Sequence, residues 1–237
     1  MSVQLTRAFY DGIRRVVSMT GVVLFALLAL YMVVFLASLN TLLADGLPSE
    51  ASAQIGLTLP VSGTVASILV VASLLFTPMY YIAAARALTR RRSALGSFPS
   101  RLFTRRLIRA TVWMILAGVV VMIAVTIGLV LFIIPGIFLS ACFLFVIFGV
   151  AVEDRGPIGA LRRSWGLARG NRLRLMGFVF VVGVIGAIVG AAGAILELAD
   201  QPVLADVVTV LVNAVLFVPV YGIMAAMYLQ VADENRL

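Results

Sequence analysis

Residues 110–152 read ATVWMILAGVVVMIAVTIGLVLFIIPGIFLSACFLFVIFGVAV and carry no charged side chain. As a single α-helix, at 1.5 Å per residue, this stretch would extend about 65 Å, roughly twice the ~30 Å hydrocarbon thickness of a bilayer. It must therefore fold back. Pro135-Gly136 is expected to supply the turn, since proline lacks a backbone donor and glycine tolerates conformations closed to other residues. The stretch then divides into spans 110–131 and 135–152. The tip between them, Leu131 to Gly136, is apolar and is expected to sit shallow in the membrane interface or against protein.

Working outward, Val16 to Ala44 is uncharged. It is too long for a cleavable signal, whose apolar core runs about 7–15 residues, so it reads as span 17–43. Continuous apolar sequence from Leu59 to Ala85 gives span 59–85, and two further runs give spans 175–197 and 207–232. Six passes follow, an all-α polytopic membrane fold in a single integral membrane domain over residues 1–237. Composition agrees: 63% of the chain is hydrophobic and 12% charged, against about half and a quarter in a soluble domain.

The charges orient these spans. All 18 basic residues are Arg, a usage that points to a GC-rich or salt-adapted prokaryote, and the net charge is +8. Three Arg precede span one, eight lie between spans two and three, six between four and five, and Arg236 follows six. The alternate loops carry only Asp45, Glu50, Glu197, Asp200 and Asp206. Basic residues collect in cytoplasmic loops. The expected site is therefore the cell membrane with both termini cytoplasmic, and the 110–152 run must be crossed an even number of times.

Three basic segments read as short amphipathic interfacial helices. In the first, Leu5, Phe9, Ile13 and Val16 oppose Arg7, Asp11 and Arg14. In the second, Phe103 and Leu107 face away from Arg101, Arg105 and Arg109. The third runs from Gly156 to Asn171, with Pro157 at a first-turn position and Gly170 at its stop; Ile158, Leu161, Trp165 and Ala168 form one face and Arg155, Arg162 and Arg169 another. Arg101, Arg105, Arg109, Arg162, Arg163 and Arg169, with Trp165, make a candidate surface for anionic lipid, at about 1 kcal/mol per basic residue. The same residues could serve only to set topology. No nucleic-acid recognition motif accompanies the charge, so nucleic acid is not an expected partner.

The chain has no His and one Cys, Cys142, inside an apolar run where a small packing role is expected. Imidazole catalysis and histidine-ligated metals are excluded, and no buried carboxylate pair, Ser-Lys pair or metal cluster suggests a catalytic residue, a metal or a cofactor. Gly183, Gly186, Gly190 and Gly193 line one strip of span five and suit close approach of another helix, within this protein, a membrane partner or a second copy. Two segments echo each other, Phe76-Thr-Pro78-Met-Tyr80-Tyr-Ile82-Ala-Ala-Ala85 and Phe217-Val-Pro219-Val-Tyr221-Gly-Ile223-Met-Ala-Ala226. Their prolines predict helix kinks, either purely structural or flanking a binding site. Asn213, deep in span six, is expected to bond across helices or to meet a substrate.

The succession Ile134-Pro135-Gly136-Ile137, Glu153-Asp154-Arg155-Gly156, Ala160-Leu161-Arg162-Arg163-Ser164-Trp165 and Gly170-Asn171 resembles a recurring pattern over about a third of the chain. It is similar to the membrane domain found with some glycerophosphodiester phosphodiesterases and to YciC-like polytopic proteins of unknown function. The resemblance implies six cytoplasm-anchored helices, with the proline turn leading through span four to a surface helix that carries the Arg-Ser pair. It implies no phosphodiesterase activity, which belongs to a separate soluble domain with carboxylate and His ligands, and no catalytic residue is carried over. The leading expectation is a non-enzymatic membrane protein that binds or organises lipid or a membrane partner. The alternative is a small transporter of an apolar or amphipathic solute.

Overall fold

The computed structural model describes residues 3–48, 52, 55–99 and 104–234. Its helices are α1 (Leu5–Val16), α2 (Met19–Asp45), α3 (Gly63–Leu88), α4 (Leu107–Leu131), α5 (Ile133–Phe143), α6 (Val146–Ala151), α7 (Pro157–Ala168), α8 (Arg172–Leu198) and α9 (Pro202–Glu234), with a 3₁₀ turn at Arg92–Ala94. No strand occurs among the described residues. Six helices are long and apolar enough to cross a membrane, α5 and α6 together forming the fourth. They start or end within a few residues of the expected spans. The largest extension is in span six, which begins at Pro202, where a proline without an N–H fits the first helical position.

The chain divides into two compact units. The first comprises residues 1–23, 78–183 and 218–237. Its core holds Phe145, Phe148, Leu167, Leu175 and Met227 together with many alanines, among them Ala83, Ala84, Ala85, Ala87, Ala225 and Ala226. Large apolar side chains such as Val119, Met122 and Ile123 point outward from α4. That is the arrangement lipid allows: bulky groups face the acyl chains while small ones let backbones approach.

Two expectations about the 110–152 run need correction. The reversal falls at Phe132, whose backbone is extended (φ −160°, ψ 146°), and not at Pro135-Gly136. Pro135 lies in the first turn of α5, where its missing N–H costs nothing, and Gly136 is helical. Gly136 serves close packing instead: a Cβ there would collide with Leu129, and one on Gly128 would lie 2.9 Å from the Gly136 Cα. The tip residues Val130 to Ile134 are exposed and make no protein cover for one another.

Span four is not continuous. It breaks between Phe143 and Val146, and Ser164 of α7 fills the gap. The fully buried Ser164 hydroxyl donates to the Cys142 carbonyl (2.7 Å) and accepts the Phe145 N–H (3.1 Å). The side of α7 that is buried is Ala160, Ser164, Leu167 and Ala168, while Ile158 is exposed and Leu161 and Trp165 are half-buried. Only Ala168 is shared with the expected stripe. On α1 the buried residues are Ala8 and Gly12, with Leu5 and Phe9 exposed. Gly12 lies on Gly222 and Ile223 of α9, where an added Cβ would stand 2.5 Å from the Ile223 nitrogen. Between α1 and α2, Ser18 accepts the Gly21 N–H (3.2 Å) and so caps α2.

The second unit comprises residues 24–77 and 184–217. Its buried residues include Leu24, Ala37, Ala66, Ala205, Val210 and Ala214. Asp206 organises the segment between α2 and α3: its Oδ2 accepts Asn40 Nδ2 (2.7 Å) and the Leu57 N–H (2.8 Å), and Gly56 sits so close that a Cβ would strike the carboxylate. The Thr41 hydroxyl accepts the Leu59 N–H (2.8 Å). On α3, Thr77 bonds Tyr31 (2.7 Å) one residue before Pro78, and Tyr31 also contacts the Phe76 ring.

Candidate functional site

The densest polar arrangement in the first unit is built on two consecutive carboxylates, Glu153 and Asp154, just beyond the end of α6. Asp154 adopts a left-handed backbone (φ 53°), which Asp tolerates better than most residues. The Arg155 N–H returns to the Gly149 carbonyl (3.0 Å), closing the turn before Gly156 and Pro157 start α7. The reversal sends the two carboxylates to different partners.

Glu153 accepts from the Tyr228 hydroxyl (2.8 Å), from Arg163 Nε (3.0 Å) and from Arg155. Tyr228 is buried and stacked on Phe148, with ring centroids 4.7 Å apart. Burial pushes the Glu153 carboxyl upward, but the hydrogen bonds from Tyr228, Arg155 and Arg163 outweigh it and hold the group below its ordinary range. Asp154 pairs with Arg105 (2.8 Å) and lies 3.9 Å from both Arg86 and Arg106. Arg86 also donates to the carbonyls of Ala151 and Arg105, each at 2.8 Å. Other guanidinium groups tie backbone together. Arg15 donates to the Leu88 and Arg90 carbonyls (2.7 and 2.8 Å), Arg90 reaches Thr20 (3.0 Å), and Arg92 pairs with Asp11. Burial lowers the pKa of Arg15 and of Arg90.

The expected arginine surface therefore separates into parts. Arg101 lies outside the described residues, as do Glu50, Phe103 and Arg236. Arg105 and Arg163 are engaged by Asp154 and Glu153, and Arg109 stacks over Trp113 at 3.9 Å. Trp165 packs against Phe138 and Phe143, with Arg172 over its ring at 4.8 Å. Arg162 and Arg169 are exposed, and no carboxylate partners them among the described residues.

The packing candidates also divide. Gly183, Gly186 and Gly190 face open space, and only Gly193 is buried, where a Cβ would lie 2.9 Å from the Thr209 hydroxyl. Pro78 and Pro219 both lie inside continuous helices. Tyr80 and Tyr221 are buried, and Tyr221 stacks on Tyr81 with centroids 5.5 Å apart and planes within 9°. Asn213 does not bond across helices. Its Nδ2 donates to the Thr209 carbonyl of its own helix (2.7 Å), so one N–H of the amide is served locally. Cys142 is buried.

Sequence reasoning missed the carboxylate hubs. The signal was present: Glu153 and Asp154 are two of very few acids in the arginine-rich segments, and counting charge by side ignores which charges pair. In the second unit, Asp206 was read only as a loop acid, yet with Asn40, Gly56, Glu197 and Asp200 it lines a cleft of about 600 Å³.

Six helices long and apolar enough to cross a bilayer define a polytopic α-helical membrane protein. Residues 3–231 match the family described as Domain of unknown function (DUF7847), and the chain belongs to that family. No curated protein matches the chain, and no solved structure does.

Proposed function

We propose that this chain is a non-enzymatic multi-pass protein of the cell membrane, with both termini cytoplasmic, that binds and organises anionic lipid. One observation carries the reading: Arg162 on α7 and Arg169 just past its end are exposed and have no carboxylate partner among the described residues, while the neighbouring Arg163 is neutralised by Glu153. Carboxylates in the same region bind other arginines and leave this pair available. Unpaired guanidinium groups beside an anionic headgroup layer each contribute about 1 kcal/mol. The confinement of Arg to alternate loops supports the cytoplasmic assignment, and the resemblance to membrane domains without a catalytic residue favours a non-enzymatic role. A transport path between the two proline-bearing segments would need room where the Tyr81 and Tyr221 rings are stacked, which favours the lipid reading.

The test is to reconstitute the full chain in phosphatidylcholine nanodiscs doped with phosphatidylglycerol and to measure retained lipid by native mass spectrometry. The wild type should enrich phosphatidylglycerol. The Arg162→Gln/Arg169→Gln variant should lose up to ~30-fold of that enrichment at low salt, the equivalent of about 2 kcal/mol for two residues. Identical lipid composition around wild type and variant would overturn the proposal.

A further inference from the structure

We infer that a cleft at the start of α1 holds the phosphate group of an anionic lipid; this rests on the lipid reading above and adds to it a defined site. The cleft has a volume of about 550 Å³ and is walled by residues 3–7, Tyr10 and Arg174. Two guanidinium groups, those of Arg7 and Arg174, share it, and among the described residues no carboxylate lines it. Arg7 has no ion-pair partner among the described residues. Arg174 spends one donor on the Val3 carbonyl (3.0 Å), which fixes the guanidinium to the wall and leaves its remaining N–H groups available. The Arg fork matches phosphate oxygens in geometry as well as charge.

The wall is held in place. The Val3 N–H donates to Asn171 Oδ1 (2.7 Å), and both residues are buried. The Gln4 N–H donates to Gln230 Oε1 (3.1 Å). These bonds set the start of α1 against the start of α8 and against α9 within the first unit. The first-turn amides of Leu5, Thr6 and Arg7 have no carbonyl partner in the helix, and Gln4 gives them no side-chain cap. They supplement the paired arginines as donors to an anion.

The apolar surroundings identify the phosphate as a lipid's. Leu5, Phe9 and Tyr10 are exposed on α1, and Leu173, next to Arg174, is 84% exposed. A free phosphate would use the cations and leave these side chains in water. A headgroup phosphate tethered to acyl chains satisfies both.

The nanodisc measurement tests the cleft with a different set of variants. A single phosphatidylglycerol per protein should survive stripping in the wild type and in Arg162→Gln/Arg169→Gln. Arg7→Gln and Arg174→Gln should each reduce its retention about fivefold. Arg7 has no intramolecular ion pair to lose, so its variant keeps the fold even where Arg174→Gln disturbs the Val3 contact. Arg14→Gln removes the same charge from α1 outside the cleft and should retain the lipid as the wild type does. Equal loss in Arg14→Gln and Arg7→Gln would reduce the effect to net charge and overturn the cleft. So would wild-type retention in Arg7→Gln and Arg174→Gln while Arg162→Gln/Arg169→Gln loses its enrichment, and in that case the surface reading would survive alone. If no variant and no wild-type sample enriches phosphatidylglycerol, both fall. Calorimetry with inorganic phosphate on lipid-free protein in detergent separates the two sources. Binding as tight as that of phosphatidylglycerol, and lost in Arg7→Gln, would make this a soluble-anion site and overturn the lipid assignment.

Discussion

Replacing Ser164 by Ala removes one oxygen atom and should destabilise the first unit by about 2–3 kcal/mol. The hydroxyl serves two backbone groups at the break in span four, the Cys142 carbonyl and the Phe145 N–H, and it is fully buried. Without it the break can persist with both groups unpaired, at about 1–3 kcal/mol each. The alternative is for α5 and α6 to close into one regular helix. That would rotate Phe145, which is 1% exposed and packed on Phe148 and Tyr228, out of its site. Hydrogen bonds between membrane helices average only about 0.6 kcal/mol in double-mutant cycles, because the unfolded chain in a membrane also finds partners. Two such bonds set a floor near 1 kcal/mol and two orphaned groups a ceiling near 6, and partial relaxation places the expectation between them. Reversible unfolding in mixed detergent micelles measures the difference. Ser140→Ala is the control: that hydroxyl bonds only the Gly136 carbonyl four residues earlier in its own helix (2.9 Å), so its loss should change stability by less than ~0.5 kcal/mol. If Ser164→Ala unfolds with the same free energy as Ser140→Ala, the break does not depend on Ser164 and the account of span four is wrong.

Gly12→Ala should destabilise by about 1–3 kcal/mol in the same assay through overpacking against Ile223, whereas Gly190→Ala, which meets nothing within 4 Å, should be neutral in the monomer; equal effects would contradict the packing described for α1. Glu153 is held below its ordinary carboxyl pKa of 4.5, so its contribution is fully present above that value and is lost as pH falls through the lower folded value. A stability profile from pH 7 downward should therefore show an acid-side decline that Glu153→Gln removes, and an unchanged decline in the variant would place the titrating group elsewhere. Asp206→Ala leaves the Leu57 N–H without its acceptor and the Asn40 amide with only the Leu57 carbonyl (3.1 Å), and hydrogen exchange at Leu57 should quicken by about one to two orders of magnitude, at about 1–3 kcal/mol for the lost acceptor; unchanged protection would mean that Asp206 does not hold this segment.

The six spans were legible because hydropathy sums over some twenty residues, and a few misplaced residues do not change the sum. The break at Phe143 to Val146 was not, because every residue around it is as apolar as its neighbours and the hydroxyl that stabilises it comes from Ser164, beyond the end of the span. The same holds for the turn between α4 and α5. Proline and glycine are the residues that usually mark a reversal, but here Pro135 fits the first helical turn and Gly136 is needed for contact with Leu129, so the extended conformation falls to Phe132. Asn213 shows a third limit. Its polarity made it a candidate for a bond between helices, and the cheaper local acceptor four residues earlier won.

Arginine placement is visible in the sequence as a pattern and not as chemistry. The positive-inside rule needs only the sign and the loop, whereas a site depends on which charges are already neutralised. Glu153 and Asp154 decide that, binding Arg155 and Arg163 on one side of the turn and Arg105 on the other, with Arg86 and Arg106 close by. The helix has already ended at Ala151, and with the left-handed backbone at Asp154 the two adjacent carboxylates serve separate sets of arginines. The consequence reaches beyond stability. An arginine held by a half-buried carboxylate cannot give full charge to a headgroup, so the basic surface that remains for lipid is set by the position of two acids as much as by the number of guanidinium groups. On this logic Glu153→Gln should free Arg163 as well as weaken the fold. Phosphatidylglycerol enrichment around that variant should then rise above the wild type at neutral pH, a change opposite in sign to the one that general unfolding would produce.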